Sequence, residues 1–214
     1  MQLESRFEAV LSKICAHGAL EAHWLTMLSQ LEYAGCRKIV KAVPFEKVDT
    51  QVMNHVMEEA SHAFLLKSLV DKMRPSRAWH ECPLTELGWT YFQTLDHGVS
   101  QFQDSGYHYP AVSWIVEQRV LDLYPRYLAA TRHLGVKRVL QRILAQEKRH
   151  STLFGDEDFS ADFKRRAIEW ENGLWSDFVA GLETWVGAYE RRMSRTAAKP
   201  PCSRSLRPAQ NLAQ

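Results

Sequence analysis

Apolar side chains recur every three to four residues along most of the chain, the period of a helix face buried against a core. Leu20, Trp24, Leu28, Gly35 and Ile39 mark a helix over 18–42, closed by the VPFEKVD segment with Pro44. A second helix runs from about Thr50 to Met73, with Asp49 or Thr50 as N-cap and Arg74-Pro75 as the stop. The short link between the two predicts an antiparallel pair. Residues 75–110 are long enough to cross a bundle from end to end and hold a further helix in LTELGWTYFQTLDHGVSQ. A third main helix is predicted over 111–133, stopping at Leu134-Gly135, and a fourth from Val136 to Phe154 before Gly155. These two form a second hairpin. A fifth occupies about 159–193 with Trp170, Leu174, Phe178, Leu182 and Trp185 as its stripe. No alternating strand pattern appears. The pattern predicts one helical domain over 1–193 and a flexible, Pro-rich C-terminal tail over 194–214.

Two of the apolar stripes are interrupted by charge. Val52, Val56, Glu59, His62 or Ala63, Leu66, Leu69 and Met73 share the inward face of the second helix. Val136, Leu140, Ile143, Glu147, His150 and Phe154 share that of the fourth. Each therefore carries Glu-x-x-His, a spacing that brings a carboxylate and an imidazole to one helical face, where both reach a single ion. With nine His in 214 residues, chance placement gives roughly 0.7 such pairs, so their position mid-stripe on two separate hairpins carries more weight than their number.

A dinuclear site in a helical bundle needs one further carboxylate from each remaining helix. Glu21 and Glu32 compete on the first. Glu32 lies level with Glu59 across the hairpin, whereas Glu21 would stand roughly 16 Å away along the axis. On the third helix Glu117 shares a stripe with Trp114, Leu121, Tyr124 and Leu128, and Asp122 falls off it. The candidate ligands are Glu32, Glu59, His62, Glu117, Glu147 and His150. Four carboxylates balance two divalent ions, while four buried, uncompensated acids would each carry a desolvation penalty of several kcal/mol. Beyond these ligands no catalytic residue is assigned. Glu58 is expected to face solvent, and His55 to be boundary packing or a support for the ligands. Tyr33 and Tyr124 are candidates for a redox or supporting role, and Pro125 predicts a kink in the third helix.

Composition narrows the setting. A formal charge of +2, with part of the positive excess in the tail, provides no stripe for nucleic acid. No apolar run approaches the ~18 residues of a membrane span and no secretory h-region opens the chain, so a cytoplasmic location is the expectation. Cys15, Cys36, Cys82 and Cys202 form no CxxC and are expected to be reduced.

The pattern Glu32…Glu59-x-x-His62…Glu117…Glu147-x-x-His150 resembles that of the ferritin-like superfamily of carboxylate-bridged dinuclear iron proteins. Its compact spacing is similar to that of the aldehyde-deformylating oxygenases within that superfamily and shorter than is usual in ferritins. The resemblance implies an all-α, ferritin-like four-helix bundle, made of two antiparallel pairs joined by a long crossover, with extra helices. It implies two Fe ions, with Mn or a mixed Mn/Fe pair as alternatives. The function implied is a di-iron oxygenase or oxidase using dioxygen on a small or medium apolar substrate. Electrons would come from a separate ferredoxin or reductase, because the chain has no flavin, nicotinamide or iron–sulfur fingerprint. A homodimer is compatible with this reading. Ferroxidase or storage activity of the ferritin kind and a metal-free helical interaction module stand as the alternatives. Peroxidase chemistry of the rubrerythrin type is disfavoured by the missing CxxC pairs.

Overall fold

The computed structural model describes residues 2–73, 79–102, 108–153 and 159–197, without the side chains at 102, 108–109, 150–153 and 196–197. Among these residues the chain is all-α. Its helices are α1 (Leu3–Ala16), α2 (Gly18–Ala42), α3 (Thr50–Met73), α4 (Thr85–Phe102), α5 (His108–Ala130), α6 (Leu134–Leu153) and α7 (Ala161–Ala197). No described helix is long and apolar enough to cross a membrane.

The helix α1 is not among the helices predicted from the sequence. Phe7, Val10, Leu11 and Ile14 nevertheless hold three-to-four spacing, and all are buried. His17, in extended conformation, separates α1 from α2. Asp49 caps α3 as expected, its Oδ1 accepting the Val52 amide at 2.8 Å. The break between α5 and α6 comes earlier than Leu134-Gly135. The Thr131 hydroxyl accepts the His133 amide, and His133 Nδ1 accepts that of Val136, so side chains cap the new helix and Gly135 lies inside its first turn. The fifth predicted helix extends beyond 193 to Ala197, and residues 198–214 lie outside the described residues.

Cross-helix contacts fix the directions. Along α2 and α3, Ser29 donates to the Ala63 carbonyl, Glu32 meets His62, and Gly35 faces Glu59, so the pair is antiparallel. Between α3 and α6, Glu58 meets Arg149 and His62 meets Gln146, again antiparallel. Tyr124 of α5 reaches Glu32 of α2, and Tyr127 and Thr131 reach Glu21, which runs α5 against α2. A three-residue link turns α5 back into α6. It follows that α3 and α5 are parallel, and the connection holding α4 carries the chain back to the starting end.

The helices α1, α4 and α7 pack outside this set. Their main contribution is aromatic: Phe7 of α1 meets Trp175 of α7 edge-on at 4.9 Å, Trp175 stacks on Phe178 at 5.0 Å, and Trp24 of α2 is fully buried beside them. Burial of such rings is worth on the order of 4 to 6 kcal/mol each before entropy is counted. The predicted stripe of α7 holds at Phe178 and Leu182 and is one position out of register only in its first half. Trp170 is 38% exposed, whereas Ala167, Glu171, Trp175, Phe178 and Leu182 form the buried face.

Candidate metal centre

Four of the six predicted ligands converge. Glu32, Glu59, His62 and Glu147 each place one ligand atom so that all four atoms lie within 4.8 Å of one another. His62 Nδ1 stands 3.0 Å from Glu147 Oε1 and 3.5 Å from Glu32 Oε2. Ligand atoms sharing one ion at ~2.1 Å stand roughly 3.0 Å apart in octahedral and roughly 3.4 Å apart in tetrahedral coordination, so these separations suit an ion between them.

Glu117 lies outside that group of four but belongs to the same interior. It is buried, with neither carboxylate oxygen hydrogen-bonded to protein, and it lines a cavity of about 50 Å³ together with Glu32, Glu59, Glu147 and His55. A buried carboxylate with no partner is costly, and a cation within reach removes the penalty. His150 lies in α6 one turn beyond Glu147, but its side chain is outside the described residues. Glu21 is buried elsewhere, beside the hydroxyls of Tyr127 and Thr131, in agreement with its rejection as a ligand.

The electrostatics follow from crowding like charges away from water. Burial, and after it the charge of Glu147, push the Glu117 carboxyl up to about 9. Glu59 is raised well above the ordinary carboxylate range by burial and by the charges of Glu147 and Glu32. Burial opposes charge on His62, but hydrogen bonding to Glu147 and Glu32 and the nearby carboxylates outweigh it and push the imidazole up to about 11. Protons thus stabilise the cluster in the way that cations would.

The remaining polar neighbours hold the ligands in place. Gln146 donates from Nε2 to Glu58 Oε1 at 2.8 Å, which fixes the amide orientation. Its Oε1 therefore faces His62 Nε2 at 3.2 Å as an acceptor, leaving Nδ1 for the carboxylates. Glu58 is the correction here. Expected in solvent, it is buried, because Arg149 of α6 reaches across to its Oε1 at 2.7 Å. Tyr124 is fully buried and donates its hydroxyl to Glu32 Oε1. Tyr33 is instead 41% exposed and tilted against Trp79, away from the cluster. Pro125 lies on the exposed side of a continuous α5.

Glu32 and Glu59 also line a second cavity of about 90 Å³, walled mostly by apolar groups including Leu31, Tyr91, Phe92, Tyr124 and Phe178. Arg119 also borders it, 4.6 Å over the Trp175 ring and paired with buried Glu171, which accepts the Tyr91 hydroxyl at 2.6 Å. The sequence reading missed this second buried polar group. Its signal was Glu171 itself, which stands on the buried α7 stripe once the register is set by Trp175 rather than Trp170.

Comparison of the chain with protein-family models, curated proteins and solved structures finds no match.

Proposed function

We propose that the chain is a ferritin-like, carboxylate-bridged dinuclear metalloenzyme of iron or manganese that uses dioxygen to oxidise a small or medium apolar organic substrate. The observation that carries this reading is that Glu32 and Glu59 line two cavities at once: one into which Glu117 and Glu147 also project from otherwise largely apolar walls, and a larger one walled mainly by aromatic and aliphatic groups, where an apolar substrate could lie beside the carboxylates. Contact directions support the bundle assignment, since α2 and α3 pair antiparallel, α5 and α6 pair antiparallel, and a long crossover joins them.

When bound, a pair of redox-active ions supplies the electrons that dioxygen chemistry requires. The chain's residues do the rest. Glu32, Glu59, His62, Glu117, Glu147 and His150 are the proposed ligands. Tyr124 orients Glu32 and stands at the wall shared with the apolar cavity, which excludes water and positions the substrate. Lys38 and Phe92 line both the small cavity and a surface groove of about 760 Å³, giving a path inward. For a hydroxylation, one oxygen atom would enter a C–H bond and the other leave as water, with two electrons from a separate ferredoxin or reductase and two protons from solvent.

The test is metal analysis of the purified full-length chain, followed by oxygen consumption with a panel of apolar aldehydes, alkanes and aromatic compounds. About two equivalents of iron or manganese and substrate-dependent oxygen uptake are expected. Fewer than about 0.2 equivalents after growth in metal-replete medium would favour the interaction module, and a very large iron-loaded oligomer would favour storage.

A further inference from the structure

We propose that His55 is a further ligand, additional to the six named above, at the second of the two metal positions beside Glu59, Glu117 and Glu147. This inference rests on the dinuclear reading above and deepens it. His55, Glu59 and His62 lie on one face of α3, with Glu59 between the two imidazoles, roughly 6 Å along the axis from one and roughly 4.5 Å from the other. The two histidines therefore approach Glu59 from opposite ends. His62 turns its Nδ1 to Glu147 and Glu32, while His55 turns its Nε2 to Glu59 Oε1 at 3.4 Å, the spacing of two ligands on one ion.

Two further observations locate the position. His55 is 4% exposed despite lying near the N-terminal end of α3, where solvent is close, and it lines the same 50 Å³ cavity as Glu117 and Glu147. Glu117, also 4% exposed, has both carboxylate oxygens without a hydrogen-bond partner in that cavity. A divalent ion there gives Glu117 the partner that the protein does not supply. Oxygen donors with one imidazole suit iron and manganese better than softer metals. On this reading α3 provides an imidazole to each ion, in the pattern His-x-x-x-Glu-x-x-His, and the two positions differ in how their histidines are held.

The experiment loads the full-length metal-depleted protein anaerobically with Mn(II) and reads stoichiometry by elemental analysis and spin coupling by electron paramagnetic resonance. Wild type should hold about two equivalents with a coupled signal. His55→Ala and His55→Gln should each hold about one, with the uncoupled spectrum of an isolated ion, and excess imidazole should restore the second equivalent to His55→Ala. A His55 that only hydrogen-bonds Glu59 would leave His55→Gln with two coupled ions, because the amide still reaches the carboxylate; that result overturns the assignment. Two equivalents in both variants overturn it as well and leave the dinuclear reading standing. A wild-type chain that takes up no metal overturns both together.

Discussion

His62 Nδ1 lies 3.0 Å from Glu147 Oε1, so the two helices that carry Glu-x-x-His meet through the imidazole of one and the carboxylate of the other. The contact joins residues 85 positions apart in a chain whose hairpins are otherwise local (147 − 62 = 85). Removing either partner removes a ligand and leaves the other charge buried. His62→Ala and Glu147→Ala are expected to lose at least one metal equivalent each while retaining helical circular dichroism. Unchanged metal content would reject the ligand set.

The protonation state of the empty cluster sets a pH dependence. Glu117, ordinarily 4.5 and here about 9, keeps in the folded chain a proton that the unfolded chain has released. That contribution to stability is complete below pH 4.5 and is lost as pH rises through about 9. His62, raised from 6.5 to about 11, acts in the same direction at higher pH. Metal-free protein should therefore melt at lower temperature at pH 9 than at pH 5, and Glu117→Gln should flatten the slope. Metal uptake should release protons, measurable in weakly buffered solution, with affinity rising over the same interval.

Gly35 separates stability from site geometry. A Cβ there would stand 3.2 Å from Glu59 Oε2, which forces the carboxylate to yield by a few tenths of an ångström. Alanine in a helix interior is more favourable than glycine by up to about 1 kcal/mol. Gly35→Ala should leave the melting temperature unchanged or raise it, and should weaken metal binding by roughly tenfold. Titration calorimetry and thermal melts on the same sample check both halves.

Gln146 hydrogen-bonds His62 and Glu58, so its loss reports on imidazole orientation. Gln146→Leu should lower metal affinity by roughly 10- to 100-fold, as expected for a group that holds a ligand from behind. Stoichiometry at saturating metal should stay at the wild-type value. A loss of one whole equivalent would mean that Gln146 does more than orient His62.

The Arg119–Glu171 pair is expected to matter for folding instead. Glu171→Ala leaves the Arg119 guanidinium, only 15% exposed at its side chain, with Asp122 and Asn172 alone and is expected to cost about 1 to 3 kcal/mol in chemical denaturation. Metal stoichiometry of the folded fraction should be unaltered.

The sequence by itself determined most of the helices and of the buried carboxylate–imidazole cluster, because both depend on short-range periodicity. Glu59 and His62, or the run Val136, Leu140, Ile143 and Glu147, share a face through helix geometry alone, and a charged residue on an apolar stripe stands out before any fold is known. Helix ends were less legible. His133 caps α6 with a ring nitrogen, a role with no compositional signature, and α1 was overlooked because its five buried positions are interspersed with charges. Only the tertiary structure decided that Glu58 is buried, since Arg149 and Gln146 reach it from another helix, and that Tyr33 and Tyr124 part company at the surface and the cluster. It also decided that Glu32 and Glu59 line both the cavity that holds Glu117 and Glu147 and a second one walled mainly by apolar groups. Cavities are volumes bounded by several helices at once, and their walls depend on crossing and rotation that no single helix period encodes.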